Sequence, residues 1–127
     1  MSSEQGIRMT VDHAERRVTV NASGSITLDD ILKHIEQERT ANGLGYAELI
    51  DARGYVPAFS ADQVRTVVEV LRDLAAQSPL GPTAIVVDSD VGFGMLRMLE
   101  IMMDDVCKIR PFRDMSEARR WLESATD

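Results

Sequence analysis

Residues 83–106, TAIVVDSDVGFGMLRMLEIMMDDV, constrain the fold more than any other stretch of the chain. The apolar run Ala84-Ile85-Val86-Val87 has the length of a buried strand and stops at Asp88. A turn with Gly92 and Gly94 is expected next, followed by residues at helical spacing. Met95, Met98, Leu99, Met102 and Val106 fall on one side, flanked by Leu96 and Met103, with Arg97, Glu100 and Asp104 opposite. That apolar arc is wider than the usual stripe of about 100°. Such a helix is either wedged between two layers or shares its excess apolar surface with a partner chain. The remaining elements must pack around this buried strand, expected in the middle of the sheet, and the largely buried helix it feeds.

Residues 6–12 and 16–22 alternate apolar and polar, with Ile7, Met9 and Val11 on one face and Val18, Val20 and Ala22 on another. Period two means strands with one buried face, and the short polar link His13-Ala14-Glu15 makes them a hairpin. Gly24 is expected to end the second strand. Thr27 with Asp30 reads as a helix cap, followed by Leu28, Ile31, Leu32 and Ile35 inside and Asp29, Lys33, Glu36 and Gln37 outside. This places His34 beside exposed positions. Tyr46 to Asp51 reads as a short strand with Leu49 and Ile50 buried, and residues 52–59, ARGYVPAF, as a loop. Ser60 with Gln63 caps a helix whose stripe is Val64, Val67, Val68, Leu71, Leu74 and Ala75, stopped by Pro79, Gly81 and Pro82.

Cys107 to Phe112 reads as the last strand. Pro111 places it at a sheet edge, since proline cannot donate to a ladder. Asp114 and Glu117 open a closing helix with Ala118, Trp121, Leu122 and Ala125 on its inner face. The order ββαβαβαβα specifies an α/β fold: a single mixed β-sheet of about five strands with four helices. An antiparallel N-terminal hairpin joins parallel strands in one domain over residues 1–127.

A formal charge of −7 argues against a nucleic-acid partner or an anionic membrane surface, which attract clustered Lys and Arg. Residues 88–105 concentrate that charge, with Asp88, Asp90, Glu100, Asp104 and Asp105 against Arg97 alone. No apolar run approaches the roughly 20 residues of a membrane helix, so no membrane insertion is expected. The start MSSEQGIRMT lacks a basic segment followed by an apolar one, and Cys107, the only cysteine, allows no intrachain disulfide. A cytoplasmic location is the expectation.

Three segments resemble the STAS domain, the SpoIIAA-like fold, and within it a subgroup of small bacterial proteins of unknown function. The first is a strand closing on Asp with a following basic residue and Gly, Leu49-Ile50-Asp51-Ala52-Arg53-Gly54. The second is Ala84-Ile85-Val86-Val87 followed by Gly94-Met95-Leu96-Arg97-Met98. The third is Phe112-Arg113-Asp114 with Glu117-Ala118 and Trp121-Leu122. The resemblance implies a non-enzymatic module that binds proteins or nucleotides, sometimes switched by phosphorylation of a Ser opening a helix. Ser60 stands at that place, but in the run Phe59-Ser60-Ala61-Asp62, where phosphorylated members carry Asp-Ser-Ser-Gly. A helix cap explains Ser60 equally well.

Other chemistry is sparse. Asp88-Ser89-Asp90 after an apolar strand mimics the nucleophile segment of haloacid-dehalogenase-type phosphatases, in which one Asp attacks phosphorus and another handles the proton. Only 37 residues follow Asp90, too few for the further strands such an enzyme needs, and the plain alternative is that Ser89 or Asp90 caps the Met-rich helix and favours its dipole. His13, His34 and Cys107 lack metal-ligand spacing, so no metal, cofactor or catalytic residue is assigned. Ligands of open sheets favour the carboxyl ends of parallel strands. Asp51, Arg53, Ser60, Asp88, Asp90 and Arg97 would converge there, and the plain alternative is an ion-pair network of Arg53 with Asp51 or Asp88 and Arg97 with Asp90. Met95, Leu96, Met98, Met102 and Met103 form a candidate surface for a homodimer, another protein partner or a small apolar ligand. The sequence reading is therefore a non-catalytic interaction module, with binding of a small apolar or lipid-like ligand as the alternative and phosphatase-like hydrolysis as a remote one.

Overall fold

A computed structural model describes residues 6–126. The strands are β1 (Gly6–Asp12), β2 (Arg17–Thr27), β3 (Ala47–Asp51), β4 (Tyr55–Ala58), β5 (Thr83–Val86) and β6 (Ile109–Phe112). The helices are α1 (Leu28–Thr40), α2 (Ala61–Ala75), α3 (Asp90–Met103) and α4 (Met115–Thr126). The sheet order is β1-β2-β3-β5-β6, with β1 antiparallel to β2 and the other pairs parallel. This is the mixed sheet with four helices that the periodicities specify, with one more short strand.

That extra strand corrects the reading of residues 52–59 as a loop and of Gly24 as a strand end. β2 continues through Gly24, which has φ +73°, to Thr27. Its first half pairs with β3 and its last four residues pair with β4, also in parallel. Asn21 faces Asp51 while Gly24 faces Tyr55, so one extra residue sits on the β3–β4 side. The chain thus runs along β2 as a strand broken by a bulge at Ala52-Arg53-Gly54, a device that bends a strand and re-aims its side chains.

The caps form as the sequence demands. Thr27 Oγ1 accepts from Asp30 N at 3.1 Å, and Thr27 N donates back to Asp30 Oδ2 at 2.9 Å. Ser60 and Gln63 repeat the arrangement at 3.2 and 2.9 Å. Ser89 caps α3, accepting from Gly92 N at 3.0 Å. α3 therefore starts at Asp90, and Gly92 and Gly94 lie inside the helix instead of forming a preceding turn.

Two unequal layers cover the sheet. α4 alone packs on one face, where Ala118 and Leu122 meet Ala47, Leu49, Ala84, Val86 and Phe112. Helices α1, α2 and α3 cover the other, with Ile31, Val64, Val68 and Met103 against Ala22, Ile26, Ile50 and Ile85. Alternation decides which strand residue meets which layer. β5 is interior and buried, but the middle strand is β3. α3 is less buried than its arc suggests: only Gly92 and Met103 are buried, and Ile101 is 63% exposed. β6 forms one edge, with Pro111 in it opposite Ile85. Among the described residues no helix is long and apolar enough to cross a membrane.

Candidate functional site

Between the sheet and the three-helix layer lies a cavity of about 170 Å³. Val20 and Ala22 of β2 and Ile85 of β5 form its sheet side. Ile35 of α1, Val67 and Leu71 of α2, and Met95, Leu96 and Leu99 of α3 form its helix side. Met95 and Leu96 thus serve the apolar surface that the sequence points to, though they face inward to the cavity. Met98 and Met102 are half-buried against the same core outside the cavity wall, and Met103 is fully buried at 0% exposure, available to no partner.

One patch of this wall is polar. His34 and Glu38 stand four residues apart on α1, and Glu48 faces them from β3. All three are buried, with exposures of 8%, 5% and 7%. His34 Nε2 is hydrogen-bonded to Glu48 Oε2 at 3.0 Å and lies 3.8 Å from Glu38 Oε1. Thr83 Oγ1 donates to Glu48 Oε1 at 3.3 Å. Among the described residues no Lys or Arg pairs with either carboxylate, and His34 Nδ1 is buried without a hydrogen-bond partner. Burial disfavours the charged form of Glu38, and the neighbouring Glu48 carboxylate, by charge and by hydrogen bond, adds to this. Its pKa is pushed up to about 9.

The placement of His34 beside exposed positions is therefore corrected: Ile31, His34, Ile35 and Glu38 are the spacing i, i+3, i+4, i+7 of one helix face. Glu48 carries a signal of its own. It sits in a strand covered on both faces, where a carboxylate needs a specific partner.

The carboxyl ends of β3 and β5 do come together, as parallel neighbours. There Arg53 and Asp51 form a two-bonded ion pair at 2.7 and 2.9 Å, which holds the Asp51 carboxyl below the usual range. Asp88 accepts from Gly54 N at 3.1 Å, fastening the β3–β4 bulge to the end of β5. The expected pairing of Arg97 with Asp90 does not form. Arg97 bonds Glu100 on its own helix, and Asp90 pairs with Arg113 beyond β6, each at 2.6 Å. Ser60 serves its cap. At this edge Asp51 and Asp90 are held by ion pairs with Arg53 and Arg113, and Asp88 by the Gly54 amide.

The other two residues weighed for metal lie elsewhere. His13 Nδ1 shares a 2.8 Å hydrogen bond with the Tyr46 hydroxyl at the hairpin end. Cys107 lines the cavity half-buried, its thiol pKa raised by burial.

No family model and no curated protein matches the chain. Among solved structures, the chain is similar to an uncharacterized protein from the DUF3478 family with a SpoIIAA-like fold, from Shewanella loihica PV-4. The likeness covers 96% of this chain and 98% of that one, with a TM-score of 0.62 and 16% identity. At that identity the likeness speaks for the fold alone, and with the sheet order above it shows that this chain has a SpoIIAA-like fold.

Proposed function

We propose that this chain is a non-catalytic binding module for a small apolar molecule, or for the apolar arm of a larger one, seated between the sheet and helices α1 to α3. The observation that carries this reading is the cavity of about 170 Å³ with its aliphatic and methionine wall. Protein interiors are normally packed as densely as organic crystals. At roughly 24 cal/mol per Å³, an enclosed void of this size would forfeit on the order of 4 kcal/mol, an upper bound for a cavity that is partly open. A guest that fills it recovers much of that loss. Apolar cavities of roughly 150 Å³ admit benzene, so the guest is of that size or inserts a part of that size. Met95 and Leu96 add an adaptable side to the wall, because the methionine thioether bends to irregular shapes.

Benzene is a direct probe. In an NMR titration, amides around Val67, Leu71 and Leu99 should shift saturably. Leu99→Trp, which fills the cavity, should abolish the response while the fold persists by circular dichroism. A wild-type spectrum unmoved by saturating benzene overturns the reading.

A second reading is a protein interface, favoured by large apolar side chains left in water: Val91 and Ile101 on α3 and Val56 on β4. A second copy of this chain or another protein would cover them.

A further inference from the structure

We propose that His34, Glu38 and Glu48 form a binding site for one divalent transition-metal ion in the cavity wall. The donors arrive on two elements. His34 and Glu38 share a face of α1 because four residues make roughly one helical turn, and Glu48 meets them from β3. Glu48 Oε2 and Glu38 Oε1 lie 3.0 and 3.8 Å from His34 Nε2, and one donor atom from each residue lies within 4.8 Å of the other two. Donors held at about 2.0–2.2 Å from a single ion stand roughly 3.0–3.5 Å apart. Small side-chain rotations therefore close the set.

Charge makes the same point. Two carboxylates buried side by side need a compensating positive charge or a proton, and among the described residues no Lys or Arg supplies one. Two ionised carboxylates and a neutral imidazole carry a charge that one divalent cation cancels. A mixed imidazole and carboxylate set suits Zn²⁺, Fe²⁺ or Mn²⁺ better than the all-oxygen preference of Ca²⁺. All three residues line the cavity, so three protein ligands leave the remaining coordination open toward it. The site does not depend on the apolar guest proposed above.

Metal-stripped full-length chain, titrated with Zn²⁺ by calorimetry and with Co²⁺ by visible absorption, decides the matter. One ion per chain and ligand-field bands of bound Co²⁺ are expected. His34→Gln and Glu48→Gln should each weaken Zn²⁺ binding at least tenfold. Glu38→Gln guards against misfolding: it keeps the side-chain shape and an uncharged hydrogen-bonding group, and it should weaken binding comparably while circular dichroism stays native. No saturable binding of either ion by the wild type overturns the proposal. So does Zn²⁺ binding that is unchanged in folded Glu38→Gln, since the ion would then sit elsewhere.

Discussion

Tyr55 shows how much one side chain can fasten. It opens β4, is buried against the three-helix layer, and donates its hydroxyl to the Gly92 carbonyl of α3 at 3.2 Å. Burial raises its pKa from the ordinary value near 10 to about 12. A raised phenol pKa means that the folded chain holds the proton more tightly than the unfolded one. The stability linked to it is complete below about pH 10 and is lost as pH rises through about 12. Tyr55→Phe should lower stability at neutral pH by about 1 kcal/mol, the worth of a typical buried hydrogen bond. It should also lessen the loss of stability above about pH 10. Urea denaturation of both proteins at neutral and alkaline pH checks both effects. His34, Glu38 and Glu48 belong to the same scale and were only half legible in the sequence. Each lies at a spacing that marks it as buried, but their mutual contact joins α1 to β3, and no local pattern encodes that closure.

At the scale of elements, the long periodic segments were readable because their caps and stripes agree: Thr27 with Asp30, Ser60 with Gln63, and Val64, Val67 and Val68 inside. β4 was not readable. Its four residues include Pro57 and follow Gly54, both loop signals, and only the continuation of β2 past Gly24 makes it a strand. At the start of α3 the cap reading at Ser89 holds and the turn reading of its two glycines does not; inside the helix those glycines do opposite things. A Cβ at Gly92 would stand 2.7 Å from Tyr55 Cε1 and 2.8 Å from Ser89 Oγ, whereas one at Gly94 would meet nothing within 4 Å. Gly94→Ala should therefore stabilise the protein by about 0.5–1 kcal/mol, the usual gain in a helix interior. Gly92→Ala should destabilise it, because Tyr55 and the cap must move. Thermal melts of the two variants should shift in opposite directions.

For the molecule as a whole, the fold class and mixed sheet followed from the sequence, whereas the order of the strands did not. Ala84 to Val87 looked central because it is the most apolar run, but β3 takes the middle while carrying Glu48. Of the wide arc of α3, Met95, Leu96 and Leu99 line the cavity and Met103 is buried, while Val91 and Ile101, outside that arc, leave an exposed apolar side on the same helix. If that outer side is a homodimer interface, light scattering at tens of micromolar should give twice the mass of the 14.1 kDa chain, and Ile101→Asp should return it to a monomer. A single-chain mass for the wild type would remove the interface between copies. The manner of any such pairing is already restricted at one margin. The Lys108 and Phe112 carbonyls accept from Thr83 and Val87, so the period of two turns the nitrogen of Pro111 outward, where it has no hydrogen to offer. A foreign ribbon laid along that margin finds a missing rung, so lateral growth into larger β-assemblies is blunted there.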